Sequence, residues 1–345
     1  MGCLLHQYAV DAWASSEEAQ LTWCEKNQAS LRADLYSGLA DAIGGDSGME
    51  DATQFGRRFI LPSSFQGSPR HMQQEFQDSL ALACRYGSPD IFLTFTCNPK
   101  WKEIMSQLGP GETANNRPDI VVKVFKMKVD AFLHDLTKLH IMSKCVAWCY
   151  TIEFQKRGLP HAHILLTLDS ADKIYSARDV DATCTAEIPD KDADPELYNI
   201  VSNNMIHGPC GEQYNPDAPC MRNGKCSKGF PKPLCDESIK EEGRFPIYHR
   251  RDNDRVVFKH SKHQGASVPL NNSWVVPYNK YLSKRYDAHI NVEICGTIKA
   301  VKYLYKYIYK GPDKAMTEIS VNRENINEIR QYQDCRYFST HEAFW

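Results

Sequence analysis

Residues 146–168 restrict the fold more than any other part of the chain. They read VAWCYTIEFQ, then KRGLP, then HAHILLTL. Side chains alternate across a strand, so Val146, Trp148, Tyr150, Ile152 and Phe154 share one face, expected to be the core. Cys149, Thr151, Glu153 and Gln155 share the other. After the turn, Ala162, Ile164, Leu166 and Leu168 continue the apolar face, and His161, His163 and Thr167 the polar one. A five-residue loop over Lys156–Pro160 closes an antiparallel hairpin and predicts Gln155 opposite His161 and Glu153 opposite His163.

Two imidazoles and a side-chain oxygen then converge. Such a set holds one divalent cation with positions open to substrate oxygens, and its mixed N/O character suits Mg²⁺ or Mn²⁺ chemistry on phosphate. A solvent-facing polar alternation would also give His-x-His. The Glu153/Gln155 pair, placed to meet the histidines across a short turn, favours the metal.

Around the hairpin the order of elements predicts an α+β fold, an antiparallel sheet with helices on one face. IFLTFT (Ile91–Thr96) is a strand stopped at Asn98-Pro99. Before it, Met72, Phe76 and Leu80 mark a helix ending at Gly87. PDIVVKVFKMKVDAFLHDLTKLHI is a long amphipathic helix opened by Pro118. A further strand is expected at Ile290–Ile294 and a helix at Thr297–Lys310. The first 45 residues read as helical packing closed by Gly44-Gly45.

The chain has 345 residues, a formal net charge of −2 and 42% hydrophobic residues, which excludes wholly disordered, collagenous or coiled-coil chains. No apolar run is long enough to span a membrane and no secretory leader opens the sequence, so an intracellular protein is expected. Charge is uneven: residues 1–60 carry 4 basic and 9 acidic side chains, residues 241–314 carry 14 basic and 7 acidic. The C-terminal third is therefore the expected polyanion face, with Phe258, Trp274, Tyr278 and Tyr281 as stacking planes for unpaired bases. Asp169–Glu196 reads as an acidic, solvated connection.

Two further segments carry chemistry. KAVKYLYKYIYKG places Tyr303 and Tyr307 one helical turn apart, with Tyr305 and Tyr309 opposite and Lys302, Lys306 and Lys310 in a third stripe. A phenol with a reference pKa of about 10 becomes a phosphoryl acceptor when a metal neutralises the phosphate and an ammonium steadies the phenolate. The Gly/Pro-rich stretch MIHGPCGEQYNPDAPCMRNGKCSKGFPKPLC offers His207, Cys210, Cys220 and Cys226 as a tetrahedral set for structural Zn²⁺, with Cys235 beyond. Cys97, Cys145, Cys149 and Cys295 sit in or beside apolar strands and read as small core residues.

FLTFTCNP, EFQKRGLPHAH and KYLYKYIYKG resemble, in that order, the three motifs of rolling-circle HUH endonucleases in the form found in Helitron transposases. YAVDAWA, NQASLRADLYSGLADAI, GRRFILPSSFQGSPRHM and MIHGPCGEQYNPDAPCM look like the Helitron helicase-like N-terminal region. The resemblance implies an HUH/Rep-like, ferredoxin-like or RRM-like sheet. It implies a helical region at 1–70, a first part of the endonuclease core at 71–168, a linker with a Cys-rich insertion at 169–243, and the rest of the core at 244–345.

It further implies His161 and His163 as metal ligands, Gln155 as the third with Glu153 competing, and Tyr303 and Tyr307 as nucleophiles, each followed three residues on by Lys306 or Lys310. Thr94, Thr96 and Asn98 would line the sheet beside the site. The implied reaction is a nick in single-stranded DNA at a transposon end, through a 5′-phosphotyrosine link, in the nucleus. Relatives carry a C-terminal helicase; no G-x-x-x-x-G-K-[ST] occurs here, so the chain reads as a fragment or truncated copy. A zinc-containing DNA-binding module that no longer cuts is the competing expectation, and a histidine-metal hydrolase of small phosphates a third.

Overall fold

A computed structural model describes residues 3–31, 59–154, 159–241, 243–261, 265–295, 327–336 and 339–345. Gln155, Gly44-Gly45 and the whole Thr297–Lys310 helix, with Tyr303, Tyr305, Tyr307, Tyr309, Lys306 and Lys310, lie outside them.

The centre is a four-stranded antiparallel sheet. Its strands are β1 (Ile91–Thr96), β2 (Cys145–Phe154), β3 (Pro160–Leu168) and β8 (Ile290–Ile294), in the order β2-β3-β1-β8. Between β3 and β8 in sequence lie two small hairpins, β4 (Met221–Arg222) with β5 (Lys225–Cys226) and β6 (Val257–Ser261) with β7 (Ala266–Leu270). The helices are α1 (Cys3–Lys26), α2 (Pro69–Tyr86), α3 (Pro118–Thr137), α4 (Ala177–Thr183), α5 (Pro195–Asn204), α6 (Lys280–Tyr286), α7 (Glu328–Cys335) and α8 (Thr340–Phe344). None of the described helices is long and apolar enough to cross a membrane.

Helix α3 explains why one face of the sheet is dry. Its Val121, Phe125, Val129, Phe132 and Leu136 recur every three or four residues and are all buried. They meet the β1 face carrying Ile91, Leu93 and Phe95, where the Phe95 ring stacks on Phe132 at 4.7 Å and Phe125 at 5.6 Å. Each large side chain so buried contributes about 1.5–3 kcal/mol. Ala162, Ile164 and Leu166 of β3 and Ile290, Val292 and Ile294 of β8 complete the layer. The buried carboxylate of Asp135 in α3 is held by the Tyr286 hydroxyl and the Arg285 guanidinium, which tie α6 to the same core.

Helix α2 starts where expected because the Ser68 side chain accepts the His71 N–H at 3.0 Å and Pro69 fills the first turn. It stops at Gly87, whose φ of +90° a side chain would resist. At the other end of the molecule, Leu21 and Cys24 of α1 pack with Leu61, Phe65, and Ile329 and Tyr332 of α7. Glu17 of α1 joins this contact by accepting the Tyr332 hydroxyl at 2.8 Å.

Several expectations need correction. The hairpin register is two residues out: Phe154 pairs with Pro160, Glu153 with His161 and Thr151 with His163. Among the described residues the last pair is Phe154 with Pro160. Trp148 and Tyr150 are 40% and 48% exposed, not core. They lie on the predicted face, but β2 is an edge strand. Cys149 and Cys295 are likewise only half-buried, whereas Cys97 and Cys145 are buried as expected.

Asp169–Glu196 is not a solvated connection. Ala186 and Ile188 are fully buried, Thr185 exchanges backbone hydrogen bonds with Tyr278, and α4 is capped by Ser176. Its acids have fixed partners, Glu187 with Arg251, Asp190 with Arg255 and Asp194 with Lys284. Those pairs engage Arg251, Arg255 and Lys284, three of the fourteen basic side chains of residues 241–314. Of the four stacking candidates, Trp274 and Tyr278 are buried, and only Phe258 and Tyr281 are exposed.

Candidate functional site

The sheet face turned away from α3 carries the polar half of each alternation, Thr94 and Thr96 on β1, His161 and His163 on β3, Glu153 on β2, and Asn291 and Glu293 on β8. Register sets the pattern. Thr94 lies between His163 and Asn291, and Thr96 beside His161. Thr94 Oγ1 is 3.2 Å from His163 Nδ1, and Thr96 Oγ1 is 2.8 Å from His161 Nδ1. A ring nitrogen engaged this way fixes the rotation of the imidazole and leaves Nε2 as the ligand nitrogen.

Glu153 sits opposite His161 yet reaches diagonally, its Oε2 3.0 Å from His163 Nε2. His163 is 5% exposed, and its ring lies flat against Phe92, centroids 5.9 Å apart and 5° between planes. A carboxylate oxygen beside Nε2 of a buried histidine is the donor set that a hard divalent cation accepts. Of the two oxygen donors weighed from sequence, Glu153 is among these groups and Gln155 lies outside the described residues.

This face is the floor of a cavity of about 930 Å³. The opposite wall comes from residues distant in sequence, among them Lys228, Phe230, Lys232, Phe245 and Tyr248. Tyr248 is anchored there because its hydroxyl accepts the Ile294 N–H at 2.9 Å, and burial raises its pKa. Arg250, only 3% exposed, acts as a structural cation: its Nη1 donates to the Asn272 and Val275 carbonyls at 2.8 and 2.6 Å. Burial lowers its pKa to about 10.

His207, Cys210, Cys220 and Cys226 come together at the edge of this wall, with ligand atoms all within 4.8 Å of one another. Cys210 Sγ and Cys226 Sγ are each 3.5 Å from His207 Nε2. A tetrahedral zinc with bonds near 2.3 Å needs edges of about 3.8 Å, so the donors fit that ion. Local sequence explains the approach. Asn223 and Gly224 take positive φ of 51° and 73°, the two-residue turn that closes β4 on β5 and brings Cys220 and Cys226 together.

The cluster thiols are not alike electrostatically. Burial raises Cys210 and Cys220, whereas for Cys226 hydrogen bonds with the Phe230 and Lys228 amides and with the two neighbouring thiols outweigh burial and hold it below its ordinary value. Burial, with Lys228 and Lys232 nearby, lowers His207 to about 4, so its ring is neutral near pH 7. Phe230 stacks on that ring at 4.3 Å. Cys235 stays outside the cluster, its backbone paired with Arg250 and its Sγ 2.8 Å from the Glu237 carbonyl.

Sequence reasoning missed Asn291 and Glu293, although INVEI carries the alternation that puts both on the site face. It also missed Lys228, Lys232 and Tyr248, which only the tertiary fold brings to the cavity.

These features define a mixed α+β protein built on an antiparallel sheet, with a His/Cys cluster able to bind a metal such as zinc. Residues 1–166 match the family described as the Helitron helicase-like domain at the N-terminus, which makes the chain similar to Helitron proteins over that stretch. The match covers Thr94, Thr96, Glu153, His161 and His163 and ends before the His/Cys cluster. Comparison with curated proteins finds no match.

Proposed function

We propose that this protein is a metal-dependent endonuclease and strand transferase acting on single-stranded DNA at the ends of a Helitron-type transposon. The observation that carries the reading is that Glu153, His161 and His163 line the floor of one large cavity, with Glu153 beside His163 and each histidine steadied by a threonine of β1. The likeness of residues 1–166 to the Helitron helicase-like domain supports the same reading.

Glu153, His161 and His163 would hold Mg²⁺ or Mn²⁺. The ion supplies Lewis-acid stabilisation of a phosphate's developing charge. Thr94 and Thr96 keep the imidazoles in one orientation, so the phosphate meets a fixed site. Tyr303 or Tyr307 attacks the phosphorus, the bond to the 3′ oxygen breaks, and that oxygen leaves as a 3′-hydroxyl while the 5′ phosphate stays on the phenol. Lys306 and Lys310 steady the phenolate. The covalent link conserves the energy needed to rejoin the strand without ATP.

Incubation with a labelled single strand and Mn²⁺ tests this. A covalent adduct lost in Tyr303→Phe/Tyr307→Phe is the expected result, and release of free ends with no adduct would sink the proposal. A second reading, a zinc-stabilised DNA-binding module that does not cut, draws on the His/Cys cluster. It predicts strand binding and no adduct under any divalent ion.

A further inference from the structure

The His/Cys cluster and the cavity share a wall, and this gives the cluster a task beyond local folding. His207 belongs to both: its Nε2 faces Cys210 and Cys226, and the residue also lines the cavity. The chain leaving Cys226 runs directly into that lining as Ser227, Lys228, Phe230, Lys232 and Pro233. Gly229 N–H donates to the Cys226 carbonyl at 2.8 Å and Ser227 N–H to the Cys220 carbonyl at 2.8 Å, so the segment's path is set by the backbone of two cluster cysteines. Lys232 is held in turn, its Nζ donating to the Lys228 carbonyl at 2.9 Å and lying 5.2 Å from the centre of the Phe230 ring.

Several basic residues of the C-terminal part are already held by carboxylates: Arg251, Arg255, Lys284 and Arg285 each have such a partner. Among the described residues neither Lys228 nor Lys232 has one within ion-pair distance, and both face the cavity. Beside them Phe245, half exposed, offers an aromatic face at the same opening. Two cations without acidic partners, flanked by an open aromatic ring, form a surface for the phosphates and unstacked bases of a single strand.

We propose that the segment Ser227–Pro233, held in shape by a zinc ion on His207, Cys210, Cys220 and Cys226, is a binding wall for single-stranded DNA, with Lys228 and Lys232 on phosphates and Phe245 under a base. The wall deepens the endonuclease reading, for it would place the strand over the histidine floor. Zinc here is a positioning device with no part in the chemistry.

The test measures binding of the full chain to a fluorescent oligodeoxythymidylate by anisotropy across a salt series, without added Mg²⁺ or Mn²⁺. Lys228→Ala/Lys232→Ala should keep its zinc, bind at least about tenfold more weakly at low salt, and flatten the log–log salt slope by about 1.4. Phe245→Ala should weaken binding with no change of slope. Cys220→Ser should lose both zinc and binding. Unchanged affinity and slope in the lysine double variant would overturn the wall, as would full binding by zinc-free protein. Preference for an oligouridylate would overturn the choice of DNA. Binding through the wall without adduct formation under Mn²⁺ sinks the nicking and spares the wall. Adduct formation undiminished in the lysine variant does the reverse.

Discussion

Thr96 Oγ1 lies 2.8 Å from His161 Nδ1, across the pair of strands that forms the middle of the sheet. One strand therefore offers the imidazole and its neighbour fixes which way it turns. Thr96→Val keeps the shape and removes that hydroxyl. Mn²⁺ affinity at the histidine floor, measured by titration with the zinc cluster filled, should fall about 10–100-fold. Equal affinity in parent and variant would mean the threonine contact does not orient a ligand.

Native mass spectrometry of the purified chain should show a single equivalent of zinc. Cys226→Ser should abolish it, and Cys235→Ser, which alters a cysteine outside the cluster, should retain it. Loss of zinc in both variants would assign the ligands wrongly.

Tyr286→Phe deletes a hydroxyl that donates to the buried Asp135 carboxylate and leaves that charge with Arg285. The expected loss of stability is about 1–3 kcal/mol, read from the midpoint of urea unfolding. A change below about 0.5 kcal/mol would place Asp135 in a wetter setting than its burial implies.

His341 on α8 is buried, and among the described residues its Nε2 has no hydrogen-bond partner. Burial, with His6 nearby, lowers its pKa from 6.5 to about 4. Above pH 6.5 the ring is neutral folded or unfolded and its stabilising share is complete. As pH falls from 6.5 to about 4 the unfolded chain binds a proton that the folded chain refuses, so stability drops. The melting temperature should decline through that window, and less steeply in His341→Gln. Parallel declines would place the titration elsewhere.

The elements of the site were legible in the sequence because each rests on a local rule. Alternation in VAWCYTIEF and HAHILLTL yields β2 and β3 and assigns Glu153, His161 and His163 to one face. His207, Cys210, Cys220 and Cys226 in a Gly/Pro-rich stretch mark the cluster that the fold assembles. What failed depends on neighbours. The last described pair, Phe154 with Pro160, lies one residue earlier on each strand than expected, and that two-residue change of register moves Glu153 from opposite His163 to opposite His161. Trp148 and Tyr150 looked like core because alternation says which face a residue is on and nothing about whether its strand lies at the sheet's edge. The burial of Arg250 rests on three carbonyls converging from residues 186, 272 and 275, which leave no local trace.

Strand β8 joins β1 from about two hundred positions downstream, and the wall facing the histidines begins only after residue 200. A ribosome must therefore finish most of the chain before the cavity has two sides. Until then β1, β2 and β3 can pair, but the histidines stand on an open surface with nothing to seat a strand against them. Closure over so long a loop is slow relative to the nearby hairpin. Assembly of the cavity is thereby postponed to the last stage of maturation, when the C-terminal segments return to a sheet whose first three strands are already in place.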